Sequence, residues 1–86
     1  MRVLFDMEIS STAKVTKISA DDVPDKHKYG VGEIEARLLE MGFIEGCTVT
    51  IMHKGLFGRE PIAVRIDNHN SLIALRKNEA LSIYVI

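Results

Sequence analysis

The sequence predicts a mainly β fold in which five short strands curl into a small barrel and one short α-helix packs against it. Three segments alternate apolar and polar residues with the period of two expected of half-buried strands: 47–53, 62–66 and 81–85. Two further segments, 13–18 and 72–75, supply the remaining strands. Segment 33–41 has the spacing of an amphipathic helix. Short connections favour a closed sheet, because closure hides strand edges that would otherwise pair with other chains.

The length and composition limit what this fold can do. The chain has 86 residues, so we expect one domain over residues 1–86. A chain of this size buries roughly 60–65% of its unfolded surface, which allows one compact core and disfavours a deep two-lobed cleft. The net charge is −1 and the basic residues form no block, which argues against nucleic-acid binding by phosphate neutralisation.

The cysteine content and the opening segment indicate a cytoplasmic setting. The single cysteine, Cys47, cannot form an internal disulfide, which fits a reducing compartment. The opening MRVLFDMEIS has too short an apolar run for a signal peptide, and no run approaches the ~18 residues of a membrane span. We therefore expect a cytoplasmic protein that needs a partner to act at a membrane.

The predicted helix has clear start and stop signals. Its buried stripe is expected to contain Ile34, Leu38 and Met41, with Leu39 beside them. Glu33 and Arg37 stand in the favourable i,i+4 order, which agrees with a start near residue 33. Gly42 supplies the left-handed residue that ends the helix, and Phe43 can pack back on Leu38 in a Schellman motif.

The connections are predicted from their turn-forming residues. Segment 19–32 is rich in Asp, Pro and Gly, so we expect a surface loop that is long for so small a domain. Residues 67–70 are expected to form a tight turn, because Asn and Asp tolerate left-handed backbone. Residues 76–79 are short and polar and are expected to form one helical turn. At this size, an SH3-like barrel is the natural candidate for the whole arrangement.

Segment 54–61 raises a functional question, because it places Leu56 and Phe57 between two glycines. A turn does not need these two side chains. One interpretation is that both fold back and cap the barrel, since singly exposed apolar residues are common. The other is that the pair contacts a partner, with Arg59 and Glu60 orienting the contact from the rim. The sequence leaves both interpretations open.

Metal and catalytic sites are not predicted. Four candidate ligands occur without ligand spacing: His27, Cys47, His53 and His69. His53 shares the parity of Val49 and Ile51, so we expect it at a strand end facing the barrel mouth, while Cys47 is expected to be a small buried residue. No nucleophile elbow, phosphate loop or dinucleotide fingerprint is present. We expect no enzyme activity, no cofactor and no metal site.

Several motifs in a fixed order resemble those of the ferrous-iron transport protein A (FeoA) family. They are LLEMGF-x-x-G, the glycine- and proline-bearing GLFGREP, and IALRKNEA-x-x-I-x-V. The match covers about residues 34–86. Its most recognisable residues are Leu38, Met41, Gly42, Phe43, Gly46 and Arg76.

The resemblance implies a small cytosolic SH3-like barrel without catalysis of its own. It implies that the partner is the membrane ferrous-iron permease of the FeoB type, contacted at its cytosolic GTP-binding portion, so that the protein is recruited to the inner face of the plasma membrane. The fold is also similar to the C-terminal SH3-like domain of iron-dependent repressors. Three segments depart from the family pattern. Ser10-Ser11-Thr12 stands where a Gly-containing turn is usual, loop 19–32 is longer, and Gly55 in the tip stands where a proline is common.

Two other functions remain as alternatives. One is a free-standing SH3-like interaction module that regulates a metal-responsive factor. The other is RNA binding by a small barrel, which is disfavoured because lysines, arginines and aromatic residues are not interleaved.

Overall fold

The structure is a computed structural model that describes residues 2–67 and 69–86, with the backbone alone at Phe57. Its strands are β1 (Arg2–Val3), β2 (Thr12–Ile18), β3 (Thr48–Phe57), β4 (Glu60–Ile66), β5 (Ser71–Leu75) and β6 (Ile83–Val85). Its α-helices are α1 (Glu33–Met41) and α2 (Lys77–Leu81). Short 3-10 turns lie at Leu4–Asp6 and Lys26–Lys28.

The strands form one antiparallel sheet in the order β1-β6-β2-β3-β4-β5. The predicted mainly β fold is confirmed, with six strands rather than five. The additional strand, β1, is two residues long and pairs with β6. Within the described residues, no pairing joins the edge strands β1 and β5, so the barrel is open between them.

Buried residues of the sheet, of both helices and of the first 3-10 turn form one core cluster. Ile62, Val64 and Ile66 are fully buried, as their alternation predicts, because successive side chains of a strand point to opposite faces. Phe43 is fully buried and is among the largest side chains in the core. Cys47 is also buried, in agreement with its predicted role as a small apolar residue.

Helix α1 ends in the predicted Schellman motif. Gly42 has a φ of +107°, in the left-handed region. Its amide donates to the carbonyl oxygen of Leu39 at 3.0 Å, and the amide of Phe43 donates to that of Leu38 at 3.0 Å. These are the two hydrogen bonds that define the motif, and Leu38 and Phe43 are both fully buried in the same cluster.

Two predicted details of α1 are wrong. Leu39 does not join the buried stripe, because it is 61% exposed on the flank of the helix. Arg37 does not pair with Glu33; its Nη1 donates to Glu79 Oε2 at 3.1 Å. Glu33 instead accepts a hydrogen bond from the amide of Gly30 at 3.1 Å, which holds the turn that leads into the helix.

Glu79 joins the two helices. Its side chain is 7% exposed, and its Oε1 accepts a hydrogen bond from the amide of Arg76 at 2.9 Å, at the N-cap of α2. The ion pair with Arg37 satisfies the other carboxylate oxygen. A buried carboxylate is tolerated only when its oxygens are hydrogen-bonded, and here both are.

The predicted loops are more ordered than expected. Segment 54–61 is the tip of a hairpin, since β3 continues to Phe57 and β4 begins at Glu60. In loop 19–32, Val23 is buried and the hydroxyl of Tyr29 accepts a hydrogen bond from Asn78 Nδ2 at 2.9 Å. The predicted turn 67–70 includes Asn68, which lies outside the described residues.

The histidine predicted at the barrel mouth is on the surface. The register of β3 and β4 shifts between Ile51 and His53, which makes Met52 the extra residue of a β-bulge. The bulge changes the parity of the strand, so His53 is exposed. His27 and His69 are exposed as well.

None of the helices in the described residues is long and apolar enough to cross a membrane.

Replacing Gly42 by alanine tests the helix stop. We expect Gly42→Ala to lower the free energy of unfolding by about 1 kcal/mol or more, because a Cβ is unfavourable at positive φ. The space itself is sufficient, since the nearest atom to such a Cβ would be Ile66 Cδ1 at 3.4 Å. Thermal unfolding measures the effect. Gly30→Ala is the control at ordinary φ, where the nearest atom to the added Cβ is the end of the flexible Glu33 side chain, at 3.2 Å. An unchanged melting temperature for Gly42→Ala would contradict this explanation.

A second test concerns the junction of the helices. We expect Glu79→Ala to cost about 1–2 kcal/mol in urea unfolding, because the Arg76 amide loses its acceptor while the half-exposed Arg37 can be hydrated again. Glu79→Gln keeps an acceptor for that amide and should cost less. Equal losses in the two variants would show that the hydrogen bond at the α2 cap is not what stabilises the junction.

Candidate interaction site at the β3–β4 hairpin

The hairpin formed by β3 and β4 ends in a tight two-residue turn. Phe57 and Glu60 pair across it, and Gly58 and Arg59 occupy its central positions with φ of +63° each. Positive φ at both central residues is the geometry of a type I′ turn, whose twist matches that of the flanking strands. The turn therefore continues the hairpin without splaying it.

A β-bulge below the turn brings the two strands unusually close. Lys54 pairs with Ile62 and Phe57 with Glu60, so Gly55 and Leu56 together oppose Pro61. A Cβ built on Gly55 would overlap the carbonyl oxygen of Glu60. Only glycine can be accommodated where the two backbones come this close. The bulge then turns the next residue, Leu56, outward.

Leu56 projects from this bulge into solvent. Its side chain is 92% exposed, so it does not fold back to cap the barrel. The side chain of Phe57 lies outside the described part of the chain, so its predicted role as a contact is untested. An exposed leucine on a constrained hairpin is a candidate contact surface for another protein.

The hairpin is fixed to the rest of the fold by Glu60. Its Oε1 accepts the backbone amide of Lys77 at 2.6 Å, at the first residue of α2. The ammonium group of Lys77 in turn lies 5.5 Å from the centre of the Phe5 ring. Glu60 therefore has a structural role besides any contact at the rim, and Arg59 is the charged residue at the turn itself.

The motif residues inferred from the family resemblance lie at the ends of elements. Leu38, Met41, Gly42 and Phe43 form the end of α1, Gly46 has a φ of +90° in the turn before β3, and Arg76 is the N-cap of α2. They support the fold that carries the hairpin.

The candidate metal ligands of the described residues are not clustered. The described residues contain no group of three or more His, Cys, Asp or Glu side chains able to hold a metal ion. The hydroxyl of Tyr84 donates a hydrogen bond to Asp22 Oδ2 at 3.0 Å. This hydrogen bond raises the pKa of Tyr84, and burial and the negative charges of Asp22 and Asp21 raise it further. A raised pKa keeps this phenol protonated, which suits a structural contact.

Comparison with known proteins identifies the family. The model of the FeoA domain matches residues 2–86 of the chain. The chain belongs to the FeoA family. Membership implies a role in ferrous-iron transport, and the family consists of accessory transport proteins. Among curated proteins, a search found no match.

Solved structures of FeoA proteins share the fold. The chain is 28% identical to FeoA of Stenotrophomonas maltophilia, an SH3 domain protein solved with zinc, with a TM-score of 0.76 over 100% of this chain and 91% of that one. It is 31% identical to a FeoA-like protein of Clostridium acetobutylicum, with a TM-score of 0.74 over 98% of this chain and 83% of that one. The predicted SH3-like fold is therefore confirmed.

The same fold occurs within a regulator. A manganese-dependent transcriptional repressor is 20% identical to the chain, with a TM-score of 0.79 over 99% of this chain and 35% of the repressor. At this identity the likeness concerns the fold alone. It shows that the barrel can form part of a larger protein as well as a small one.

The sequence did not predict that the strands continue into the tip. Hairpins with type I′ turns are usually signalled by Asn-Gly or Asp-Gly, whereas here the central pair is Gly58-Arg59. The bulge also interrupts the alternation of apolar and polar residues in β3, so this alternation does not reveal that the strand is ten residues long. The two glycines of the tip, Gly55 and Gly58, are the residues that mark the bulge and the turn, but glycines in this pattern are equally typical of a loop.

The bulge gives a direct test of how the tip is built. We expect Gly55→Ala to destabilise the protein by about 1–3 kcal/mol and to perturb the pairing of Lys54 with Ile62, because the strands must separate to admit the Cβ. Gly58→Ala is the matched control, since a Cβ there meets no atom within 4 Å and only the positive φ opposes it. Thermal unfolding and cross-strand NOEs measure both. If Gly55→Ala proves no more harmful than Gly58→Ala, the close approach is not a constraint.

Proposed function

We propose that this chain is a cytoplasmic accessory protein of ferrous-iron uptake that binds and modulates a FeoB-type membrane permease. The chain acts as one FeoA-like domain over residues 1–86. It contacts the cytosolic GTP-binding portion of the permease, which recruits it to the inner face of the plasma membrane. It performs no catalysis and acts only through protein contacts.

The observation that carries this proposal is the exposure of Leu56 on a rigid support. A leucine that is 92% exposed gains from burial against another protein roughly what a core leucine gains on folding, about 1.5–3 kcal/mol. The type I′ turn, the bulge at Gly55 and the hydrogen bond from the Lys77 amide to Glu60 hold the backbone that carries this side chain in place before binding. Ordering costs are therefore small, which favours binding through a small surface.

The charges of the tip give the contact its orientation. Arg59 is exposed at the turn, and the described residues include no acidic partner for it. Its guanidinium would pair with a carboxylate at the edge of the contact, where such pairs steer association more than they strengthen it. The proposed contact set consists of Leu56, Phe57, Arg59 and Glu60. Phe57 is included because of the sequence pattern alone.

The alternative function is a free-standing interaction module that regulates a metal-responsive factor. The similarity to the repressor supports it at the level of the fold, because the barrel there forms part of a metal-dependent regulator. Family membership favours the transport role over this one.

Co-purification with the host's FeoB-type permease tests the proposal. We expect the wild-type chain to be retained by the tagged permease and the Leu56→Ser/Phe57→Ser double variant to be lost. Because a polar side chain replaces the apolar tip, Leu56→Ser alone should already weaken retention by about tenfold or more. Leu72→Ser is the matched control, since Leu72 is 68% exposed on β5 and pairs with Arg65, at the end of β4 away from the turn.

Three other outcomes are informative. Equal retention of wild type and the double variant, with unchanged melting temperatures, would overturn the hairpin as the contact. If the Leu72→Ser variant is retained as poorly as the double variant, the contact lies on β5. No retention of any variant would overturn the permease as partner and favour the regulatory module.

A further inference from the structure

A second apolar surface lies beside the end of α1. It is a groove of about 250 Å³ between the end of β2, the last turns of α1 and the turn that leads into β3. Its lining consists of Ile18, Glu35, Leu39, Phe43, Ile44 and Glu45. Phe43, which is fully buried, belongs to the core, and the exposed apolar residues Leu39 and Ile44 lie on either side of it in sequence.

The exposure of this groove follows from the helix stop. The Schellman motif directs Phe43 into the core. Leu39 in the last turn of α1, at 61% exposure, and Ile44 directly after Phe43, at 48%, are left in contact with solvent. Single exposed apolar residues are ordinary, but two that line one depression form a surface that gains from being covered.

The charge of the groove is negative. Glu35 and Glu45 are its only charged lining residues, and the ion pairs of the described chain involve neither of them. Glu35 is held in position by the amide of Ala20, which donates to its Oε2 at 3.0 Å. An apolar side chain with a neighbouring positive charge would complement this lining.

The hairpin tip of the same chain has this chemistry. Leu56 is the most exposed leucine of the described residues, and Arg59 stands three positions after it at the turn. The tip and the groove share no residue, so both are available on each copy.

We propose that the hairpin tip of one copy docks into this groove on a second copy, with Leu56 between Leu39 and Ile44 and Arg59 beside Glu45. Each copy presents one tip and one groove, so the contact is heterologous and head-to-tail. The area is small, so the association is weak, with a dissociation constant on the order of 0.1–1 mM. Leu56 is covered in the associated copies.

This inference goes beyond the proposed function and relates to it through the shared tip. If the permease binds the same tip, it competes with self-association. The contact between copies does not require the permease, so it is measured on the purified chain alone. A failure here leaves retention by the permease unaffected, and the two proposals can fail separately.

The first experiment is a concentration series followed by amide NMR shifts and sedimentation velocity. We expect wild-type shifts that depend on concentration at both the tip and the groove. Leu56→Ser and Leu39→Ser should each weaken association by about tenfold or more, whereas Leu72→Ser, the control of similar exposure on β5, should have no effect. Absence of association up to millimolar concentrations, or equal weakening by Leu72→Ser, would overturn the proposal.

Mixing the variants tests the head-to-tail geometry. Leu39→Ser keeps an intact tip and Leu56→Ser keeps an intact groove, so an equimolar mixture should recover one productive contact and the shifts that report it. Failure of the mixture to recover, with both variants folded, would overturn the tip-in-groove arrangement. The charge pair is tested separately: Glu45→Lys should weaken association, and combining it with Arg59→Glu should restore it. No rescue would contradict the assigned pairing.

Discussion

The left-handed turn at Gly42 is the constraint on which the rest of the structure depends. With φ at +107°, it ends α1 and places Phe43 at once in the centre of the core. The chain then enters β3, the strand that pairs with both β2 and β4. The same turn leaves Leu39 and Ile44 outside the core, so one backbone conformation determines both the packing of the helix and the groove beside it.

The hairpin depends on a second set of backbone constraints. The bulge at Gly55 and the type I′ turn at Gly58 and Arg59 set its shape, and the bond from the Lys77 amide to Glu60 attaches it to α2. Helix α2 is attached to α1 through Glu79 and Arg37. The tip is therefore linked to α1 by way of α2 through these hydrogen bonds. They support a contact surface that protrudes from a small domain.

The sequence predicted the elements whose signals are local and missed those that depend on pairing. Helix α1 was predicted with its observed bounds, because its spacing and the glycine stop coincide at Gly42. Strand β4 was recognised from unbroken alternation. Strand β1 was missed because two residues show no period, and His53 was misplaced because a bulge at Met52 changes the parity of β3. Bulges arise from the register with a neighbour, which a single segment does not reveal.

The central claim is that the protein acts through the tip of its β3–β4 hairpin, and an NMR titration tests it most directly. The isotope-labelled chain would be titrated with the cytosolic GTP-binding portion of the host's FeoB-type permease. The account predicts saturable amide shifts that are largest between Leu56 and Glu60 and weaker in the groove beside α1. Shifts centred on another surface, or no shifts with a large excess of the nucleotide-bound fragment, would contradict it.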